Sequence, residues 1–368
     1  MDHKVRSALK MIAFILTAIA FVVFAWIVLE FIVLRGSTPP IKDENGQSLP
    51  RSIASLEQIR IGGVDQYVLI RGGDSTEPVL LFLHGGPGMP AMYLAHSFQH
   101  DLERDFVVVH WDRRGAGKSY EAGLKSDSLT VRQTLTDTYQ LTRLLLNRFG
   151  KERLFLFAHS WGTLLGILAV REHPEYYSAY IGTGQLSADS LRRYIIQRRF
   201  LFNMARGHGD LDLMDRLIRE GNIREDDLFR YGAELRGSRS FMPILMTGLQ
   251  APEYDLFDAL NVPRGASMVS KRMKEDIPMA SFENDLARFA IPVYFLLGRH
   301  DYTTPSLLAA EYFTVIEAPV KRLFWFEYSA HFPFWEEPRR FTEELRTIQA
   351  EVQTFWDNRS GPQPPEIN

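Results

Sequence analysis

The chain has 368 residues, 45% of them hydrophobic and 24% charged, a composition that buries a large core and excludes a disordered protein. A formal net charge of −3 gives no reason to expect a nucleic-acid partner, because such binders cluster positive charge against phosphate. With no cysteine, disulfides, a thiol nucleophile and a cysteine-bound metal are excluded.

Residues 1–10 form a short basic segment carrying Lys4, Arg6 and Lys10. From Met11 every residue to Leu29 is apolar except Thr17, and after Glu30 the run continues to Leu34. At 1.5 Å per residue such a run crosses ~30 Å of hydrocarbon, so 11–34 is expected to be a single membrane helix. The preceding cations are expected to stay in the cytoplasm, which puts the rest of the chain on the extracytoplasmic side, although Arg35 and Lys42 on the other flank weaken that bias. A cleaved signal peptide is the alternative, with Ala18-Ile19-Ala20 as its site, but more apolar residues follow than such a site has. Residues 35–50, rich in Gly, Pro, Ser and charge, are expected to be a linker, with the folded unit starting near Arg51.

Ser55 to Ile61 and Gln66 to Arg71 suggest a hairpin around Gly62-Gly63-Val64-Asp65. Val79 to Leu83, Phe106 to His110, Leu154 to Phe157 and Val293 to Leu297 are continuous apolar runs, the mark of strands covered on both faces. Helical stretches from Leu129 to Phe149 and Trp161 to His173 alternate with them. Lys321 to Phe326 adds a strand and Pro338 to Trp356 a closing helix. This alternation predicts an α/β protein with a mostly parallel, doubly wound sheet, in two parts over 51–184 and 285–368. Between them, 185–284 is helix-like, charged and aromatic, and is expected to be an inserted helical cap.

The strand at Leu154 runs into Ala158-His159-Ser160-Trp161-Gly162 and then a helix, the context that lifts a serine to the tip of a tight turn. A hydroxyl nucleophile needs a base, and the base needs an acid to hold its tautomer. Asp301 follows the strand ending at Leu297, and His331 follows the strand ending at Phe326, so Ser160, Asp301 and His331 are the predicted catalytic triad. Asp112 and His300 are the competitors; Asp112 is expected to pair with Arg113 or Arg114, and His300 to point away. The loop His84-Gly85-Gly86-Pro87-Gly88 is free to turn an amide toward a developing oxyanion, so Gly85 or Gly86, with the amide of Trp161, is the predicted oxyanion hole, and His84 supports the loop. His96 and His100 lack a third ligand and read as a helix surface, so no metal is expected. Gly115-Ala116-Gly117-Lys118-Ser119 lacks the first glycine of a phosphate loop, and no cofactor is expected.

His84-Gly85-Gly86-Pro87-Gly88, Trp111 to Ser119, Ser160-Trp161-Gly162 and Gly298 to Asp301 together resemble the proline iminopeptidase branch of the α/β-hydrolases, over about Ile53 to Pro338. The resemblance implies an α/β-hydrolase fold with a helical cap, cleavage of N-terminal proline from peptides without a metal, and cap glutamates that hold the substrate's amine. The family's cap motifs are absent here. Phe282-Glu283-Asn284-Asp285 echoes one of them, so Glu283, then Glu234 and Glu253, are the substrate-binding candidates. The expected partner is a small molecule or short peptide. A carboxylesterase, with an acyl-chain pocket around Met242 to Met246, is the alternative activity. A non-catalytic binding protein is the alternative of another class, although such a protein has little need of a full triad.

Overall fold

The computed structural model describes residues 3–28, 35–187, 190–273 and 286–360. Eight strands form one sheet: β1 (Ile53–Ile61), β2 (Val64–Gly72), β3 (Val79–Leu83), β4 (Val107–Asp112), β5 (Leu154–His159), β6 (Tyr177–Thr183), β7 (Val293–Gly298) and β8 (Lys321–Phe326). Their order is β1-β2-β4-β3-β5-β6-β7-β8. The pairs β1–β2 and β2–β4 are antiparallel, and all others are parallel. The hairpin between β1 and β2 turns on Gly62 and Gly63 alone, both at positive φ, two residues rather than four.

The helices are α1 (His3–Val28), α2 (Ala95–Phe98), α3 (Val131–Phe149), α4 (Gly162–Glu172), α5 (Ser190–His208), α6 (Leu211–Arg219), α7 (Glu225–Arg230), α8 (Met242–Gly248), α9 (Leu256–Met273), α10 (Ser306–Val315), α11 (Pro333–Glu336) and α12 (Pro338–Ser360). Between them, α2, α3, α4, α10 and α12 cover both faces of the sheet. On one face Leu141 and Leu145 of α3, Leu165 of α4 and Tyr312 of α10 pack on alternate strand residues such as Leu81 and Leu156. On the other, Phe98 of α2 and Phe341 and Leu345 of α12 pack on Phe82 and Phe157. Alternation of side chains across the pleat divides each apolar strand between the two clusters. Helices α5 to α9 all lie between β6 and β7, and α5 to α7 build a small core of their own around Leu201, Leu213, Leu217 and Leu228.

At the N-terminus the expected membrane span is described only in part, and the expected linker needs correction. Among the described residues no helix is long and apolar enough to cross a membrane. Helix α1 covers His3–Val28, and 29–34 of the expected span lie outside the described residues. The expected linker is also not free: Arg35 donates to the Leu249 and Ala251 carbonyls, the Gly36 amide to Pro252 O at 2.9 Å, and Arg71 Nη1 to Thr38 Oγ1 and Pro39 O at 2.6 Å each. The folded unit therefore includes Arg35 to Pro39, because polar groups in this segment satisfy carbonyls of the α8–α9 connection and a buried arginine of β2.

Candidate active site

Ser160 sits between β5 and α4 with φ +55, and among the described residues it is the one non-glycine at positive φ. L-residues populate that region rarely, so the surroundings must hold it there. They do so by close packing. A Cβ on Gly162 would meet the carbonyl oxygens of Leu83 and His84 at 2.4 and 2.5 Å, so the start of α4 lies directly on the end of β3 and only glycine fits. Ala158 replaces the usual first glycine because Gly166 leaves room for its methyl: a Cβ there would lie 3.0 Å from that of Ala158. The Ser160 amide donates to Thr183 O at 3.0 Å, tying the turn to β6.

Asp301 and His331 leave the carboxyl ends of β7 and β8 and meet: His331 Nδ1 lies 2.9 Å from Asp301 Oδ2. Both are buried. Asp301 also accepts from the Thr303 and Thr304 amides at 2.8 and 2.9 Å and from Thr304 Oγ1 at 2.8 Å, which fixes the carboxylate. Burial opposes charge on the His331 ring, but the Asp301 carboxylate, with Glu234 and Glu336 beyond, outweighs it and raises the imidazole to about 9. His159 Nε2 lies 3.0 Å from His331 O, and burial holds its own pKa well below the usual value, so this neighbour is neutral.

Gly85, Gly86, Ser160 and His331 line one cavity of about 910 Å³, together with Glu234, Arg193 and Phe241. Gly85 is pressed on the serine, for a Cβ there would lie 2.7 Å from Ser160 Cβ, and Gly86 is at φ +66. Among the described residues the amides of Gly86 and Trp161 donate no hydrogen bond, which leaves both free for an anion near Ser160. Arg113 braces this loop: its Nη2 donates to His84 O at 2.7 Å and Pro87 O at 2.9 Å and contacts His84 Nδ1 at 3.0 Å, while the guanidinium lies 5.1 Å from the Trp161 ring centre.

The structure thus brings Ser160, Asp301, His331, Gly85, Gly86 and Trp161 together, and Glu234 with them. Glu234, on the chain after α7, accepts from Thr303 Oγ1, and its carbonyl takes the His331 amide at 3.0 Å. Glu253 is elsewhere: fully buried, it meets His96 Nε2 at 2.7 Å and does not line the cavity. His96 is thus a partner of Glu253 and not simply a helix surface. Glu283 lies outside the described residues. Asp112 pairs with neither Arg113 nor Arg114; it accepts from the Lys118 amide at 2.9 Å and from Tyr254 Oη, whereas Arg114 pairs with Asp137. Met242, Leu245 and Met246 are about half exposed and do not line the cavity, so the acyl-chain pocket expected there is absent among the described residues. Sequence reading missed Arg113, Thr304, His159 and Arg193. The one available signal was the Asp301-x-x-Thr304 spacing of a carboxylate that caps its own turn.

The fold and this arrangement define a hydrolase. The chain belongs to the alpha/beta hydrolase family, whose model matches residues 80–344. Its relatives put it in the proline iminopeptidase-like branch. It is 32% identical over 305 residues to "Probable aminopeptidase YbaC" of Bacillus subtilis (strain 168), covering 80% of this chain and 96% of that one. It is 22% identical over 296 residues to a proline iminopeptidase of Thermoplasma volcanium, covering 78% and 94%. The crystal structure of a proline iminopeptidase-related protein from Thermus thermophilus shares the fold, with a TM-score of 0.58 at 22% identity over 82% of this chain and 98% of that one.

Proposed function

We propose that the protein is a membrane-anchored serine aminopeptidase that releases N-terminal proline from short peptides through an acyl-enzyme. The observation that carries the reading is Ser160, held at φ +55 in the cavity that His331 also lines, with the His331 ring fixed by Asp301 at 2.9 Å. In this mechanism neutral His331 takes the Ser160 proton through Nε2 as Oγ attacks the scissile carbonyl. Charge that develops on the carbonyl oxygen is met by the amides of Trp161 and of Gly85 or Gly86. The imidazolium then gives its proton to the leaving amine, and water cleaves the acyl-enzyme by the same route in reverse.

An aminopeptidase must bury a charged amine, and an ammonium without a carboxylate partner costs several kcal/mol. Glu234 supports the reading because it is the one acidic residue in the described cavity lining. Two relatives are named aminopeptidase and proline iminopeptidase, which favours proline as the first residue. Membrane anchoring is supported by α1, whose apolar side chains from Met11 to Trp26 are exposed, and by a sequence that stays apolar to Leu34 apart from Thr17 and Glu30. The cations at Lys4, Arg6 and Lys10 favour an extracytoplasmic catalytic domain.

The test compares proline-β-naphthylamide with its N-acetylated form and with short-chain nitrophenyl esters. The free amine should be cleaved and the acetylated form rejected by a large factor, and Glu234→Gln should raise KM for the free amine with little effect on the KM for the esters. Good ester turnover with no cleavage of any free-amine substrate would make the protein an esterase. High-pH carbonate should leave the full chain in membranes, and its release would remove the anchor.

A further inference from the structure

Arg193 lines the cavity of Ser160 and His331, yet the reading above gives it no task. Its neighbours on α5 are engaged: Arg192 pairs with Glu311, Tyr194 donates to Gly221 O at 2.7 Å, Gln197 to the Tyr302 and Thr303 carbonyls at 3.0 Å, and Arg198 to Leu217 O. Arg193 alone of these makes no hydrogen bond or ion pair among the described residues. It is half-buried, and burial draws its pKa below the ordinary arginine value. A guanidinium withdrawn from water with no anion is unfavourable, and a carboxylate, which it can hold by two parallel hydrogen bonds, restores the balance.

The same cavity holds Glu234, and Arg193 does not pair with it. At about 910 Å³ the space falls in the range that encloses a small molecule and not a folded partner. Of the two arginines in the lining, Arg224 is exposed to water and Arg193 is the partly buried one, so a cavity with a nucleophile, one carboxylate and a partly buried, unpaired guanidinium fits a small substrate that carries a charge of each sign. We infer that Arg193 binds a carboxylate on the leaving-group side of the scissile bond, so that the substrates are di- and tripeptides with a free C-terminus. Hydrolysis then adds one water across the first peptide bond, releasing the N-terminal amino acid and a leaving amine that keeps its carboxylate on Arg193. The peptide part of this inference rests on the aminopeptidase reading; the anion site does not.

The experiment uses the full chain in detergent and compares prolyl-alanine with prolyl-alaninamide, and sodium 4-acetoxybenzoate with methyl 4-acetoxybenzoate. A charge-assisted contact predicts that wild type favours the carboxylate member by about 10- to 100-fold in kcat/KM. Arg193→Met should bring the ratio to within about twofold of unity and Arg193→Lys should restore part of it, with cooperative melting as the check on folding. Arg224→Met, at an exposed residue of the same lining, should keep the preference. If neither peptide is cleaved but the ester preference is present and lost in Arg193→Met, the aminopeptidase reading fails and the anion site stands. Equal rates within both pairs in wild type, or a preference that survives Arg193→Met or vanishes in Arg224→Met, would overturn the assignment.

Discussion

His331 is under opposing influences that set the pH range of the site. Burial disfavours its charged form, while Asp301, Glu234 and Glu336 favour it and hold the ring at about 9. Below that pH both nitrogens carry protons and the ring cannot accept one from Ser160, so kcat/KM should rise with pH along a limb well above 6.5. Replacing Glu234 by Gln removes one of the raising charges and should move the limb to lower pH, for ester and amine substrates alike; an unmoved limb would show that Glu234 does not act on the base. The same shift has a stability consequence. Because the folded-state value is raised, His331 contributes stability that is full below its ordinary value of 6.5 and is lost as pH rises through about 9. Asp301→Asn should abolish that dependence, seen as a flatter melting temperature between pH 6.5 and 9, and should lower kcat by about 10⁴ as the tautomer is lost.

The loop after β4 and the cap are joined by a set of contacts that lock the two together. Tyr254 Oη donates to Asp112, Lys118 pairs with Asp258 while lying 4.9 Å from the Tyr67 ring centre, and α9 passes so close that a Cβ on Gly265 would sit 2.3 Å from Gly115 O. Gly265→Ala should therefore destabilise by about 1–3 kcal/mol, read from denaturant melts, because backbone must move to admit the methyl. Gly237→Ala, with nothing within 4 Å, should stay within about 0.5 kcal/mol. At this scale the sequence was legible where an element announces itself locally. Runs such as Val79 to Leu83 carry the mark of strands covered on both sides, and Ser160, Asp301 and His331 follow strands in the order the fold needs. Strand β6 was not foreseen: Ser178 and Gly182 interrupt its apolar pattern, and it is buried only by pairing with β5 and with β7, which lies beyond the whole cap. Arg113 and Arg193 were equally hidden, since nothing local separates them from Arg114 and Arg192, whose partners come from distant parts of the chain.

For the whole molecule, the docking of residues 35–39 changes where the catalytic unit can be cut. Deletion of residues 1–34 should give a soluble, active enzyme that melts as the full chain does in detergent. Deletion through Pro39 should lower the melting temperature, because the Arg35, Gly36 and Thr38 contacts to the cap and to Arg71 are lost; equal melting of the two truncations would show that the segment adds nothing. Whether the assembled sheet and cap form a serine hydrolase turns on one side chain. A fluorophosphonate reacts with a serine activated by a base beside an oxyanion hole and leaves ordinary serines alone. Wild type should be labelled at a single site, on the peptide that contains Ser160, and Ser160→Ala should take no label while melting like wild type. Equal labelling of the alanine variant at another serine would contradict the account.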